Sequence, residues 1–102
     1  MDSSIQLNLD AIARVCRRHH VRRLAAFGSI LRPDFDPKRS DADFLVEFEP
    51  LPAQQRMHSY LALQADLDSL LRRPIDLVEA GAIRNPYILQ KINEQQRTVY
   101  AA

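Results

Sequence analysis

Three aspartates carry the chemistry that this sequence suggests. Asp41 and Asp43 open one apolar run with a single residue between them, and Asp76 stands inside a later apolar run. Residues i and i+2 of a strand point to the same face, so Asp41 and Asp43 are expected to project together. Adjacent carboxylates repel each other, and a divalent cation such as Mg²⁺, which binds carboxylate and phosphate oxygens, removes that conflict. The sequence therefore predicts a site that holds a nucleoside triphosphate through magnesium.

A Gly-Ser pair precedes these acids in the chain. Gly28 and Ser29 close the apolar run over residues 24–27, which is typical of a buried strand. Glycine lets the backbone approach a ligand closely, and free amides at a helix start bind phosphate oxygens, to which a serine hydroxyl adds a hydrogen bond. Arg32 follows in a polar loop, where its guanidinium would neutralise triphosphate charge. These residues predict a triphosphate-binding loop.

Each signal taken alone also has a purely structural explanation. Asp41 and Asp43 are compatible with turn residues that lead into a strand, and Gly28-Ser29 is compatible with a helix cap. Asp76 is compatible with the solvated face of an edge strand, although an acid within an apolar strand is costly when it has no partner. A strand that brought Asp76 beside the other two acids would complete a three-carboxylate site for phosphoryl displacement.

The apolar pattern predicts the elements that must position these residues. We expect helices over residues 8–20 and 53–72 and from Asn85-Pro86 onward, and strands over residues 24–27, 41–48, 74–79 and 99–100. The last helix is expected to bury Ile88, Leu89 and Ile92. This order predicts an α/β (α+β) fold with a small mixed sheet of three to four strands flanked by helices. Without repeats or linkers, residues 1–102 are expected to form one domain.

Composition narrows the class of protein. Fourteen basic and thirteen acidic side chains give a net charge of +1, so no strong nucleic-acid footprint is expected. Cys16 lies on the apolar stripe of the first helix and is expected to be a buried thiol without an internal disulfide partner. No segment is apolar enough for a membrane span and no signal-peptide pattern is present, so a cytoplasmic location is expected.

The combined pattern resembles the DNA polymerase beta-like nucleotidyltransferase superfamily. Within it, the chain resembles the minimal nucleotidyltransferase (MNT) antitoxins, which partner HEPN ribonuclease toxins. The resemblance extends from about residue 24 to residue 100 and is carried by Gly28-Ser29, Asp41-x-Asp43 and Asp76. Two longer runs also carry it, SDADFLVEF at residues 40–48 and LLRRPIDLV at residues 70–78.

This resemblance implies a role for each matching residue. Gly28 and Ser29 should hold the triphosphate, and Asp41 and Asp43 should bind magnesium. The family site holds a pair of Mg²⁺ ions. Asp76 should bind the catalytic one and help to deprotonate the acceptor hydroxyl. The implied activity is transfer of an adenylyl group from ATP to a side chain of a HEPN toxin, with which the chain would form a hetero-oligomer.

Two other functions stay open at the level of sequence. A non-catalytic antitoxin with a vestigial nucleotide site would neutralise its toxin by binding alone. A small-molecule nucleotidyltransferase would use the same acids, but it would need an acceptor-binding domain that 102 residues leave little room for. Transfer of label from ATP to the partner protein separates these functions from the adenylyltransferase.

Overall fold

The computed structural model describes residues 8–27, 42–72 and 74–102. Within these ranges the chain forms three helices and four strands. In chain order they are α1 (Leu9–Arg18), β1 (Val21–Phe27), β2 (Ala42–Phe48), α2 (Ala53–Leu71), β3 (Ile75–Glu79), α3 (Pro86–Gln95) and β4 (Arg97–Ala101), with a 3₁₀ turn at Ala80–Ala82 after β3. The predicted order of elements and the predicted α/β fold class are confirmed.

The strands form one mixed sheet in the order β3-β2-β1-β4. β1 pairs antiparallel with both β2 and β4, whereas β2 and β3 are parallel. Parallel neighbours need a long crossover connection, which α2 provides between β2 and β3. In the described part of the chain, β3 and β4 are therefore the edge strands.

Helices α1 and α2 pack together and cover one face of the sheet. On β2, Phe44 and Val46 are fully buried against this layer, as the alternation of the strand predicted. On α2, Leu63 and Leu67 are fully buried on the other side of the same core. The buried side chains of this core cluster are Ile12, Cys16, Val21, Leu24, Ala26, Phe44, Val46, Leu63, Leu67, Ile75 and Leu77.

Helix α1 is fixed at both ends by polar contacts. Its N-cap, Asn8, accepts a hydrogen bond from the Ala11 amide at 3.0 Å. Arg17 and Arg18 stand in its last turn, where cations interact favourably with the helix dipole. The helix ends at Arg18 and not at residue 20, because the backbone leaves the helical region at His20, whose φ is 62°. His19 contacts Asp66 of α2, with 2.6 Å between Nε2 and Oδ2. No helix of the described residues is long and apolar enough to span a bilayer.

Strand β1 begins three residues earlier than predicted. Arg22 and Arg23 lie outside the predicted range of residues 24–27, yet both belong to the strand. The guanidinium of Arg23 donates to Gln96 Oε1 and Thr98 Oγ1, both at 2.9 Å, and lies 3.7 Å from Glu47 Oε2. Polar partners on two neighbouring strands and at the end of α3 therefore accommodate this charge within the sheet.

Helix α3 differs from its predicted burial. Asn85 caps it and Pro86 occupies its first turn, as expected, and Ile92 is buried with 8% exposure. Ile88, which was expected to be buried, is 51% exposed, and Leu89 is only half-buried. The prediction for Ile88 is wrong: the helix buries Ile92, one turn further on, whereas Tyr87 and Ile88 stay exposed because no other described element covers them.

The Cys16 thiol gives a test of this core. Burial raises its pKa from 9.0 to about 12, partly offset by the charge of Arg17. Between pH 9 and 12 the unfolded thiol ionises while the folded thiol stays protonated, so the free energy of unfolding should fall as the pH rises through this range. Urea titrations at several pH values measure the decline, and Cys16→Ala should remove the share of it that the thiol contributes. The thiol should also resist Ellman's reagent at pH 8, and rapid labelling without denaturant would contradict its burial.

Candidate active site

Asp43 and Asp76 lie opposite each other on neighbouring strands. The parallel pairing of β2 with β3 places their Cα atoms in register. Adjacent strands lie about 4.8 Å apart, so the two side chains leave the sheet side by side. Their neighbours in sequence, Phe44 and Leu77, are buried in the core, so both acids belong to the opposite face of the sheet.

The end of β1 lies at the same level. Phe27, the last residue of β1, pairs with Asp43 in the antiparallel register. Phe27, Asp43 and Asp76 thus form a row across three neighbouring strands. Gly28 follows Phe27 directly in the sequence. The row therefore joins the two acids to the strand that leads into the predicted triphosphate loop.

Four predicted site residues lie outside the described ranges: Gly28, Ser29, Arg32 and Asp41. Their roles stay predictions. The structure thus brings together two of the three predicted carboxylates, Asp43 and Asp76. Asp76 is exposed on an edge strand, as it would also be if it were only a solvated surface residue. Its pairing with Asp43, however, gives it a neighbour of like charge.

The described carboxylates fit a magnesium ion. Mg²⁺ bound to a nucleotide commonly takes one or two carboxylates and completes its shell with phosphate oxygens and water. Asp43 and Asp76 supply two such carboxylates, and the exposure of Asp76 leaves its oxygens accessible. The described residues contain no cluster of three or more metal-binding side chains, so a larger set would need Asp41 as well.

Two polar side chains of α2 contact β3 on either side of Asp76. The Tyr60 hydroxyl donates to the Leu77 carbonyl, and Gln64 Nε2 donates to the Ile75 carbonyl at 3.3 Å. Burial raises the pKa of Tyr60, and the carboxylates of Asp76 and Glu79 raise it further. The hydroxyl therefore stays protonated and able to donate. In the sequence, Tyr60 fits the apolar stripe of α2, and its four-residue spacing to Gln64 is the one signal that both side chains share a face of the helix.

The small mixed sheet thus carries Asp43 and Asp76 at one end of one face, and helices α1 and α2 cover its other face. The chain matches the nucleotidyltransferase domain family over residues 9–100 and belongs to that family. The resemblance drawn from Gly28-Ser29, Asp41-x-Asp43 and Asp76 is thereby confirmed at the level of the family.

A relative and two solved structures show the extent of the likeness. A protein of Methanocaldococcus jannaschii named "Putative protein adenylyltransferase" is 39% identical over 77 residues, which cover 76% of this chain and 74% of that protein. A structure described as a "putative minimal nucleotidyltransferase" superposes with a TM-score of 0.73 at 26% identity, covering 87% of this chain and 86% of the other. The MNT fold predicted for this chain is therefore the observed one.

The second solved structure is a complex. It is described as a tri-AMPylated Shewanella oneidensis HEPN toxin with its MNT antitoxin. The matched chain superposes with a TM-score of 0.63 at 22% identity, over 95% of this chain and 72% of the other. At this identity the likeness concerns the fold.

Replacing Asp76 tests whether its carboxylate belongs to the scaffold. Asp76→Asn removes one of two facing like charges from an exposed position, so the metal-free protein should keep its free energy of unfolding within about 0.5 kcal/mol. Leu67→Ala, in the core, should instead cost about 2–5 kcal/mol. Urea unfolding in the presence of a chelator measures both. A loss for Asp76→Asn close to that of Leu67→Ala would show that the carboxylate stabilises the fold and is not free for a ligand.

Proposed function

We propose that this chain is a magnesium-dependent nucleotidyltransferase that moves an adenylyl group from ATP to a side chain of a partner protein. The observation that carries the proposal is the in-register pairing of Asp43 with Asp76, in a row with Phe27. This row brings two carboxylates level with the end of the strand that continues into Gly28-Ser29. An in-line displacement at phosphorus requires carboxylates and a triphosphate cradle close to each other.

The reaction exchanges one bond to phosphorus for another. An acceptor hydroxyl oxygen bonds to the α-phosphorus of ATP, and the bond from that phosphorus to the bridging oxygen of the β-phosphate breaks. Pyrophosphate leaves with the electron pair, and the carboxylate of Asp76 accepts the proton of the acceptor hydroxyl. Magnesium, when bound, neutralises charge on the carboxylates and on the triphosphate.

The remaining residues of the proposed site hold the substrate. Asp43, together with Asp41, supplies the oxygens that bind the metal–nucleotide pair. Gly28 and Ser29 hold the phosphates through backbone amides and the serine hydroxyl, and Arg32 adds a positive charge. Each role suits the chemistry of its side chain, and the paired strands supply the framework for Asp43 and Asp76.

Two comparisons support a protein acceptor. The relative from M. jannaschii carries the name of a protein adenylyltransferase, and the matched MNT antitoxin is in complex with an AMPylated HEPN toxin. We infer that the acceptor of this chain is a HEPN-type toxin, that the two proteins form a hetero-oligomer, and that modification neutralises the toxin. Consumption of ATP is consistent with an activity in the cytoplasm.

Labelled ATP tests the reaction class. With Mg²⁺ and the HEPN-type protein encoded by a neighbouring gene, ATP labelled at the α-phosphate should label that protein, and ATP labelled at the γ-phosphate should not. The reason is that nucleotidyl transfer retains the α-phosphate in the product and expels the other two as pyrophosphate. Intact-mass spectrometry of the partner measures the added groups.

Three outcomes would contradict this assignment. Label arriving from the γ-phosphate would indicate a kinase. A partner that is neutralised but never labelled would indicate an antitoxin that acts by binding alone. Transfer that continues undiminished in excess chelator would refute the magnesium dependence.

Replacing the acids tests their roles in transfer. Asp43→Asn and Asp76→Asn keep the shape of the side chain but remove a negative charge, so each should lower the rate of transfer by at least ~10²-fold, since several kcal/mol of transition-state stabilisation are lost. Asp10→Asn, in the first turn of α1, is the matched control and should transfer at the unmodified rate. Single-turnover kinetics of partner labelling measures all three. Full activity in both site variants would show that the pair has been assigned wrongly.

A further inference from the structure

Helix α2 contacts β3 through a polar stripe. Three residues spaced by four along α2 meet three residues spaced by two along β3, in opposite directions. The pairs are Arg56 with Glu79 (3.0 Å from Nε to Oε2), Tyr60 with the Leu77 carbonyl, and Gln64 with the Ile75 carbonyl (3.3 Å). We call this set the α2–β3 ladder.

The ladder is possible because four residues of a helix and two residues of a strand span nearly the same length. Four residues of an α-helix rise by about 6 Å. Two residues of a parallel strand rise by about 6.6 Å. Successive turns of α2 therefore contact every second residue of β3. Each of the three contacts resists sliding of β3 along its own axis.

The hydrogen bonds from Tyr60 and Gln64 to backbone carbonyls lie on both sides of Asp76 in the sequence. Carbonyl groups alternate in direction along a strand, so those of Ile75 and Leu77 point to one side and that of Asp76 to the other. β3 is an edge strand with β2 as its neighbour in the described sheet, so groups on its outer side need partners from outside the sheet. Tyr60 and Gln64 provide them at the residues immediately before and after Asp76.

We propose that Tyr60 and Gln64 are positioning residues, which hold the backbone on both sides of Asp76 and thereby fix its carboxylate opposite that of Asp43. The inference rests on the proposed metal and nucleotide site. Asp76 is exposed, so core packing does not hold its side chain directly. The same helix is held in the core by Leu63 and Leu67, which are fully buried. The ladder therefore ties the edge strand to a helix whose position is fixed by core packing.

The test uses variants that remove a donor with little change of volume. Tyr60→Phe and Gln64→Met, singly and combined, leave one or both carbonyls without their partner. Mn²⁺ binding, followed by electron paramagnetic resonance without ATP or partner, reports on the carboxylates alone. The double variant should bind Mn²⁺ about 10-fold more weakly, at the lower end of the effect expected for residues that orient metal ligands. In transfer assays its kcat should fall while the KM for ATP stays unchanged.

Matched controls separate positioning from stability. Tyr87→Phe and Gln54→Met make the same chemical changes at exposed positions and should leave Mn²⁺ binding unchanged. Ile12→Val, which removes one methyl group from the core on α1 and should lower the melting temperature, should also bind Mn²⁺ normally. Melting temperatures confirm that every variant is folded at the assay temperature.

The outcomes distinguish this inference from the proposed site. If the double variant binds Mn²⁺ like the unmodified protein, or if Ile12→Val weakens binding equally, Tyr60 and Gln64 do not position the acid. If Asp76→Asn binds Mn²⁺ as tightly as the unmodified protein, the metal site itself is wrong and the ladder has only a structural role. Weaker binding in Asp76→Asn and in the double variant, with normal binding in the controls, supports both.

Discussion

Parallel pairing between β2 and β3 is the constraint on which the rest of the structure depends. It requires a crossover, and α2 is that crossover as well as one of the two helices that cover the core. The same register that sets Phe44 beside Leu77 in the core sets Asp43 beside Asp76 on the opposite face. A slip by one residue would exchange the two faces, burying acids and exposing core side chains, so core packing selects the register that the proposed chemistry also needs.

Much of this arrangement could be predicted from local pattern. Alternation along residues 42–48 and 75–79 identified which side chains face the core, and the cap at Asn85 is visible in the sequence. The adjacency of Asp43 and Asp76 could not be predicted in this way, because it depends on which strands pair. Periodicity alone does not specify pairing, and the resemblance to a known family supplied that expectation. The roles assigned to Gly28, Ser29, Arg32 and Asp41 stay predictions.

The errors share one physical cause, which is that their determinants are remote in sequence. Arg23 was expected to lie just before the strand at residues 24–27, yet it belongs to the strand, and its partners include Gln96, which lies 73 residues away. Ile88 has the spacing of a buried residue, but spacing does not show whether another element covers that face. Tyr60 and Gln64 reach β3 only because α2 runs along that strand in one particular register.

The sheet order also has a consequence for how the chain folds. β4 completes the sheet by pairing with β1, so that Ala26 meets Arg97 after the whole of β2, α2, β3 and α3 has been traversed. Contacts of such long sequence separation close slowly, because their loop entropy is lost before they stabilise the fold. Until β4 docks, the outer edge of β1 is open for pairing with another chain, and its buried Leu24, Ala25 and Ala26 make that edge apolar. Aggregation during refolding should therefore begin at β1.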